Sequence, residues 1–385
     1  MRIFISTGEV SGDLQAAMLI QSLREVAKEK KIELEIAGLG GDRMKATGAN
    51  ILANTAVIGS VGFIEALPFV IPTLKIQQQT KKYLTQNTPD ILVLIDYPAS
   101  NLALARYVKK HLPQVKIVYY IAPQDWAVPM LNNAPKIVKF VDKLLAIFPQ
   151  EADYFKSKDI DVTWVGHPLL DRIEKALNRE TARTKLNLNP EQKIVALLPA
   201  SRQQELKYLL PVMCQSAREI QNKLPEVSFL IPVSLKEYRS TIEAAVKKYQ
   251  LSAKILNGQT LDAIASCDLA ITKSGTVNLE AALLNIPQVV IYRINPFTAW
   301  IGRKVLKFSI PLMSPPNLIV NREIVPELQQ ELVTADNITK KALELLLNQR
   351  VRQQIAKDYQ QMRSRLGTLG VCDRVAREVL NLTNF

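Results

Sequence analysis

Short apolar runs alternate with amphipathic stretches along the whole chain, the pattern of α/β units built on parallel sheets. In the first half the spacing predicts strands over 2–7, 34–39, 91–96, 116–121, 143–148 and 162–165, with helices over 12–30 and 101–111. In the second half it predicts strands over 194–198, 228–233, 253–256, 269–272 and 288–292, and helices over 204–222, 236–249 and 276–284. The pattern restarts after about residue 166, following a set that ends near Gly166-His167-Pro168. The segment 168–193 reads as polar and helical, and the last 50 residues, from Asp336, as helices only. The expectation is two doubly wound, Rossmann-like domains, 1–167 and 168–349, followed by a helical tail. No repeat at solenoid periods and no low-complexity tract interrupts this order.

Composition adds a bias of charge. The 385 residues carry 49 Lys+Arg against 36 Asp+Glu, a formal net charge of +13. Such a surface favours anionic partners. Nucleic acid is a poor fit, because no nucleic-acid module is present and aromatic residues for base stacking are only 6%. Cys214, Cys267 and Cys372 are far apart and form no CxxC pair, so they read as small buried thiols in a reducing compartment. No apolar run reaches the ~18 residues of a bilayer span, and Met1-Arg2-Ile3-Phe4-Ile5-Ser6 lacks the apolar core of a signal peptide. A soluble or peripheral cytoplasmic protein is expected.

Ligands of open α/β sheets bind beyond the carboxyl ends of strands. Three such places carry chemistry. Thr7-Gly8-Glu9-Val10-Ser11-Gly12-Asp13 follows the first strand. Its glycines permit a tight turn, and Glu9 and Asp13 make either a polar cleft or a plain turn with Ser11 or Asp13 as helix cap. It is not GxGxxG, so a nicotinamide cofactor is not favoured. The second place, Leu197-Leu198-Pro199-Ala200-Ser201-Arg202, puts an arginine at a helix start, where its fork suits phosphate oxygens. In the third, Thr272-Lys273-Ser274-Gly275-Thr276-Val277-Asn278-Leu279-Glu280, a strand runs into Ser-Gly-Thr and a helix. Its free N–H groups and hydroxyls suit a diphosphate, and Glu280, one turn on, suits ribose hydroxyls. Together the three describe a nucleotide-sugar site in an interdomain cleft. No metal-ligand set is apparent, and Asp159-Ile160-Asp161 reads as a charged turn before a strand; no cofactor is expected.

Nine motifs extend this picture: GEVSGD (8–13), GLGGDRM (38–44), VGFIEAL (61–67), IDYPASNL (95–102), FP-x-E (148–151), VGHPL (165–169), LPASR (198–202), SGTVNLE (274–280) and PNLIVNREIVPELQQ (316–330). In this order the chain resembles the lipid-A-disaccharide synthases. These are inverting glycosyltransferases of the GT-B fold, in which two Rossmann-like domains face across a cleft. The resemblance implies transfer of 2,3-diacylglucosamine from UDP to 2,3-diacylglucosamine 1-phosphate (lipid X), giving the β-1,6 disaccharide of lipid A and UDP. It implies that Arg202, Ser274, Gly275, Thr276 and Glu280 hold UDP and that Asn317, Glu327 and Gln329 line the cleft. It further implies that the tail from about residue 350 crosses back to the first domain or exchanges with a second subunit in a homodimer.

The chain departs from the family pattern at several positions. Where the family usually has Asp-Phe-Asn, with an aspartate regarded as candidate base, this chain has Ala99-Ser100-Asn101. Ala200 replaces a glycine, Trp126-Ala127-Val128-Pro129 loses an arginine, and Gln150 replaces a phenylalanine. The UDP side thus matches better than the acceptor side. Asp96, at the end of a buried strand, becomes the favoured base, with Asp13 and Glu9 as competitors. Ser11, Gly12, Asn101 and His167 are acceptor or hinge candidates. A UDP-GlcNAc epimerase, a transferase with another acceptor and a non-catalytic binding relative are the alternatives. Two stretches, 63–76, broken by Pro68 and Pro72, and 297–307, set apolar residues beside lysines or arginines, as contact with the anionic inner face of the cytoplasmic membrane requires.

Overall fold

A computed structural model describes residues 1–56, 63–127, 132–199, 203–295 and 312–383, without the side chains of 63–68, 203 and 204. Ala200, Ser201 and Arg202, Val128 and Pro129, and the whole 297–307 stretch lie outside the described residues.

Among the described residues, seven parallel strands form the first sheet: β1 (Arg2–Ser6), β2 (Glu35–Gly40), β3 (Asn50–Asn54), β4 (Ile91–Ile95), β5 (Lys116–Tyr120), β6 (Lys143–Ala146) and β7 (Val162–Trp164). Their order is β3-β2-β1-β4-β5-β6-β7. Register runs Ile3 to Ile36 on one side of β1 and Ile3 to Ile91 on the other. The second sheet holds β8 (Ile194–Leu198), β9 (Ser228–Val233), β10 (Ala253–Asn257), β11 (Leu269–Lys273), β12 (Gln288–Tyr292) and β13 (Glu327–Gln329), in the order β10-β9-β8-β11-β12-β13. The central strands are apolar throughout because helices cover both faces. All five residues of β4 and four of the five of β8 have essentially no exposure. In each sheet the order reverses beside the first strand. The turns after β1 and β4, and those after β8 and β11, therefore open at the switch points where ligands of such sheets bind.

The chain divides into two units. The first comprises Met1–Val61, Glu65–Asp171 and Leu366–Phe385; the second comprises Gly62–Ile64 and Arg172–Arg365. The return to the first unit thus begins at Leu366 rather than at about residue 350. The helix Gln349–Ser364 stays with the second unit, where the Tyr359 hydroxyl donates to the Ile286 carbonyl (3.2 Å). The last helix, Val371–Leu380, packs along the helix Val10–Glu29 of the same chain. The Asp171 carboxylate accepts from the N–H groups of Gly370, Val371 and Cys372 at that helix's start (2.7, 3.2 and 2.8 Å).

Two strands escape the sequence pattern. β3 and β13 are short edge strands carrying Asn, Glu or Gln, with little apolar signal. The stretch 63–76, expected to be broken, belongs to one helix, Phe63–Gln86, that continues through Pro68 and Pro72. The expected helix 236–249 is a short 3-10 turn, Lys236–Tyr238, followed by a helix over Arg239–Lys248. Cys214, Cys267 and Cys372 are buried. Burial pushes the Cys214 and Cys267 thiols up to about 12.

Candidate functional site

At the switch point of the first unit, the two glycines of the β1 turn are set by close neighbours. A Cβ on Gly8 would lie 2.3 Å from the Tyr97 ring, and one on Gly12 would lie 1.8 Å from Thr7 Oγ1. The β1 turn and the β4 turn are thereby pressed together. Asn101, fully buried, ties them as well: its Oδ1 accepts from Ser6 Oγ (2.7 Å), and its Nδ2 donates to the carbonyls of Ser6, Ile95 and Asp96 (3.2, 3.1 and 2.7 Å). These bonds fix the backbone of both turns.

Asp96 and Tyr97 both have left-handed backbone, with φ of 50° and 46°. Two such residues in succession, neither glycine, are costly, and turns of this kind concentrate at functional sites. The Tyr97 N–H donates to the Asp96 carboxylate (2.8 Å), and the Tyr119 hydroxyl donates to the Asp96 carbonyl (2.8 Å). Asp96 and Glu9 are each half-buried. The Glu9 carboxylate is near enough to Tyr97 to help raise its hydroxyl pKa, after the larger effect of burial. The structure therefore gathers Glu9, Gly12, Asp96 and Asn101 at one switch point, with half-buried Ser11 on the first turn of the adjoining helix.

Asp13 is committed elsewhere. Buried, it accepts from the N–H groups of Gly41 (2.7 Å), Arg43 (3.1 Å) and Met44 (3.1 Å), and so caps the short helix Asp42–Ala46. With its oxygens satisfied by amides it holds the β2 turn. His167 also lies apart. Its N–H donates to the Leu366 carbonyl (2.9 Å), its Nδ1 accepts from the Leu169 N–H (3.2 Å), and its ring lies 5.2 Å from that of Phe148. Burial lowers its pKa to about 3, which keeps it neutral where the chain returns to the first unit. In the FP-x-E motif, Glu151 accepts from the N–H groups of Ile147 and Phe148 (2.8 and 3.3 Å) and from the backbone of Ala122. Its burial outweighs these bonds and raises its pKa to about 8.

In the second unit, Gly275 has φ of 143° and starts the helix Thr276–Leu283. Ser274 Oγ donates to the Met313 carbonyl (2.8 Å). The Met313 N–H in turn donates to Glu327 (2.7 Å), which also accepts from the Ser314 N–H (3.0 Å), Asn317 Nδ2 (3.1 Å) and Gln329 Nε2 (2.9 Å). Asn317 Oδ1 accepts from the N–H groups of Ile324 and Val325 (2.8 and 3.0 Å). Ser274, Asn317, Glu327 and Gln329 thus form one hydrogen-bonded cluster beside Gly275 and Thr276. The last three act mainly by holding the segment 313–317 against the Ser-Gly-Thr turn.

Two cations at this turn were not singled out from the sequence. Arg172 Nε donates to Glu280 Oε1 (2.7 Å), a largely buried pair that fixes the carboxylate expected to meet ribose. Lys273 pairs with Glu205 (2.9 Å), and its ammonium lies 3.5 Å from where a Cβ on Gly275 would sit. Arg172 lies far from Glu280 in sequence and no local pattern announces it; Lys273 adjoins the motif and its position there is the available signal. Arg202 lies outside the described residues. Among the described residues no group of three His, Cys, Asp or Glu could hold a metal. Asp161 lies 3.5 Å from Lys143, in an ion pair.

A family model described as lipid-A-disaccharide synthetase matches residues 3–380. The lipid-A-disaccharide synthase of Gloeothece citriformis is 56% identical over 382 residues, covering 99% of this chain and 100% of that protein. That of Synechocystis sp. is 54% identical over 387 residues, covering 100% and 98%. Among solved structures, UDP-GlcNAc 2-epimerase from Neisseria meningitidis bound to UDP-GlcNAc is similar with a TM-score of 0.68 at 13% identity, covering 100% of both chains. That likeness shows the shared fold alone, that of GT-B glycosyltransferases and epimerases. With a family match over nearly its whole length and relatives above half identity, the chain belongs to the lipid-A-disaccharide synthetases, glycosyltransferases of lipid A biosynthesis that use a UDP-sugar donor.

Proposed function

We propose that the chain transfers 2,3-diacylglucosamine from UDP to the 6-hydroxyl of 2,3-diacylglucosamine 1-phosphate, with Asp96 as general base. The observation that carries the assignment of the base is the Asp96–Tyr97 turn, where the strained backbone holds a half-buried carboxylate at a switch point although Ala99 cannot accept a proton. Asp96 takes the hydroxyl proton and the oxygen attacks the anomeric carbon. The bond from that carbon to the diphosphate oxygen breaks, and UDP leaves with the electron pair. The Ser-Gly-Thr turn, the helix start at Thr276 and Arg202 receive the diphosphate charge, and Glu280, braced by Arg172, meets the ribose.

The acyl chains of both substrates call for a lipid surface. Val70, Ile71 and Leu74 on the helix Phe63–Gln86 are 46%, 67% and 57% exposed. Exposed Lys75 and Lys82 follow Ile71 by four and eleven residues, on the same side of the helix. An apolar edge beside basic residues fits an anionic membrane at which the protein sits peripherally, in the cytoplasm. Among the described residues no helix is long and apolar enough to cross a membrane.

The decisive experiment incubates the purified chain with both substrates and follows disaccharide by mass spectrometry and UDP release. Disaccharide formation that depends on acceptor supports the reading; epimerisation without acceptor, or binding without turnover, overturns it. Asp96→Asn should lower kcat at least a hundredfold with UDP affinity unchanged. Near-normal turnover would move the base elsewhere.

A further inference from the structure

The helix Phe63–Gln86 buries polar residues on its inner side. Gln77 and Thr80 are 6% and 1% exposed, while Ile71 and Leu74 stay in the open. Thr80 Oγ1 is satisfied within the helix, by the Ile76 carbonyl (2.8 Å). Thr73 and Gln77, one turn apart and on one face, reach out instead to the β4 turn. The Tyr97 hydroxyl lies within reach of the Thr73 side chain, with which Tyr97 lines one small cavity, and Gln77 Nε2 donates to the Ser100 carbonyl (3.2 Å) and hydroxyl. Tyr97 is therefore held at three points: its ring over Gly8, its hydroxyl at Thr73, and the following turn at Gln77 through Ser100. Its own N–H is the donor to the Asp96 carboxylate. A left-handed pair of residues relaxes unless its surroundings hold it.

We propose that Tyr97 is a positioning residue: anchored by Thr73, it holds the Asp96 carboxylate in the orientation needed to accept the acceptor's proton. The proposal rests on the assignment of Asp96 as base and adds to it what keeps that base in place. Tyr97 touches neither donor nor acceptor in this reading and acts only through its neighbour. Misplacement of a reacting group by a fraction of an ångström is felt in the chemical step rather than in binding.

The test compares Tyr97→Phe, which keeps the ring over Gly8, with the near-isosteric Thr73→Val and the double variant. Each is assayed as full-length enzyme with both lipid substrates, beside Asp96→Asn. Expected are a kcat about tenfold lower in each single variant, KM for the UDP donor and UDP affinity unchanged, and a double variant no slower than the singles, since both remove the same contact. The proposal fails if kcat stays within about twofold of the parent, if kcat and UDP affinity fall together, or if the two losses multiply. Inactive Asp96→Asn with normal Tyr97→Phe refutes positioning alone. Normal Asp96→Asn removes the base assignment and the positioning with it.

Discussion

Two buried titratable groups in the first unit set opposite pH dependences. Glu151, with its pKa raised to about 8 by burial, keeps its proton in the folded state while the unfolded chain has lost it. Between about pH 4.5 and 8 its contribution therefore falls as pH rises, by about 1.4 kcal/mol per unit. His167, lowered to about 3, is neutral when folded and protonated when unfolded. Between about pH 6.5 and 3 its contribution falls as pH drops, at the same slope. From about 4.5 to 6.5 the two cancel. In Glu151→Gln only the histidine slope remains, so stability should rise from about pH 5 to 6.5 and then level off, where the parent is flat and then declines. Urea unfolding across that range measures it, and parallel profiles would refute the assignment. Neither shift could be read in the sequence. FP-x-E was legible only as one motif of the family resemblance, and His167 as a hinge or acceptor candidate, but burial depends on which strands and loops surround them. The same holds for Asp13: its spacing from Glu9 suggested a pair of carboxylates, whereas its partners come from the turn after β2.

At the scale of elements, the apolar runs located eleven of the thirteen strands because central strands of parallel sheets are buried on both faces. The two that were missed lie at sheet edges. The candidate loops were located for the same reason, since each follows a strongly apolar strand at a switch point. The helix Phe63–Gln86 was not, because its prolines and exposed leucine and isoleucine suppress the usual signal. Nor was the start of the last helix, whose cap is the distant Asp171. Asp171→Ala should cost about 0.5–2 kcal/mol. Hydrogen exchange should quicken over Val371–Leu380 and along the face of Val10–Glu29 beneath it, with the helix Thr276–Leu283 unaffected. Equal protection of the last helix in both proteins would contradict the cap.

For the whole molecule, a net charge of +13 and one basic-edged apolar helix make a salt-sensitive membrane association the expected behaviour. Serine at Val70, Ile71 and Leu74 together should reduce co-sedimentation with anionic vesicles at least tenfold, as each inserted side chain supplies roughly 1.5–3 kcal/mol. UDP affinity should not change. Binding that survives the triple replacement would place the lipid contact elsewhere. The closing of the first unit by Leu366–Phe385 bears on how the protein is made. The helix Val10–Glu29 leaves the ribosome early, yet it keeps a bare apolar flank until Leu366–Phe385 has been translated and released. The Arg172–Arg365 portion can complete its fold earlier, while the helix Val10–Glu29 still waits for its partner. Nascent chains stalled near residue 365 should accordingly draw chaperones to the helix Val10–Glu29 rather than to their newest segment.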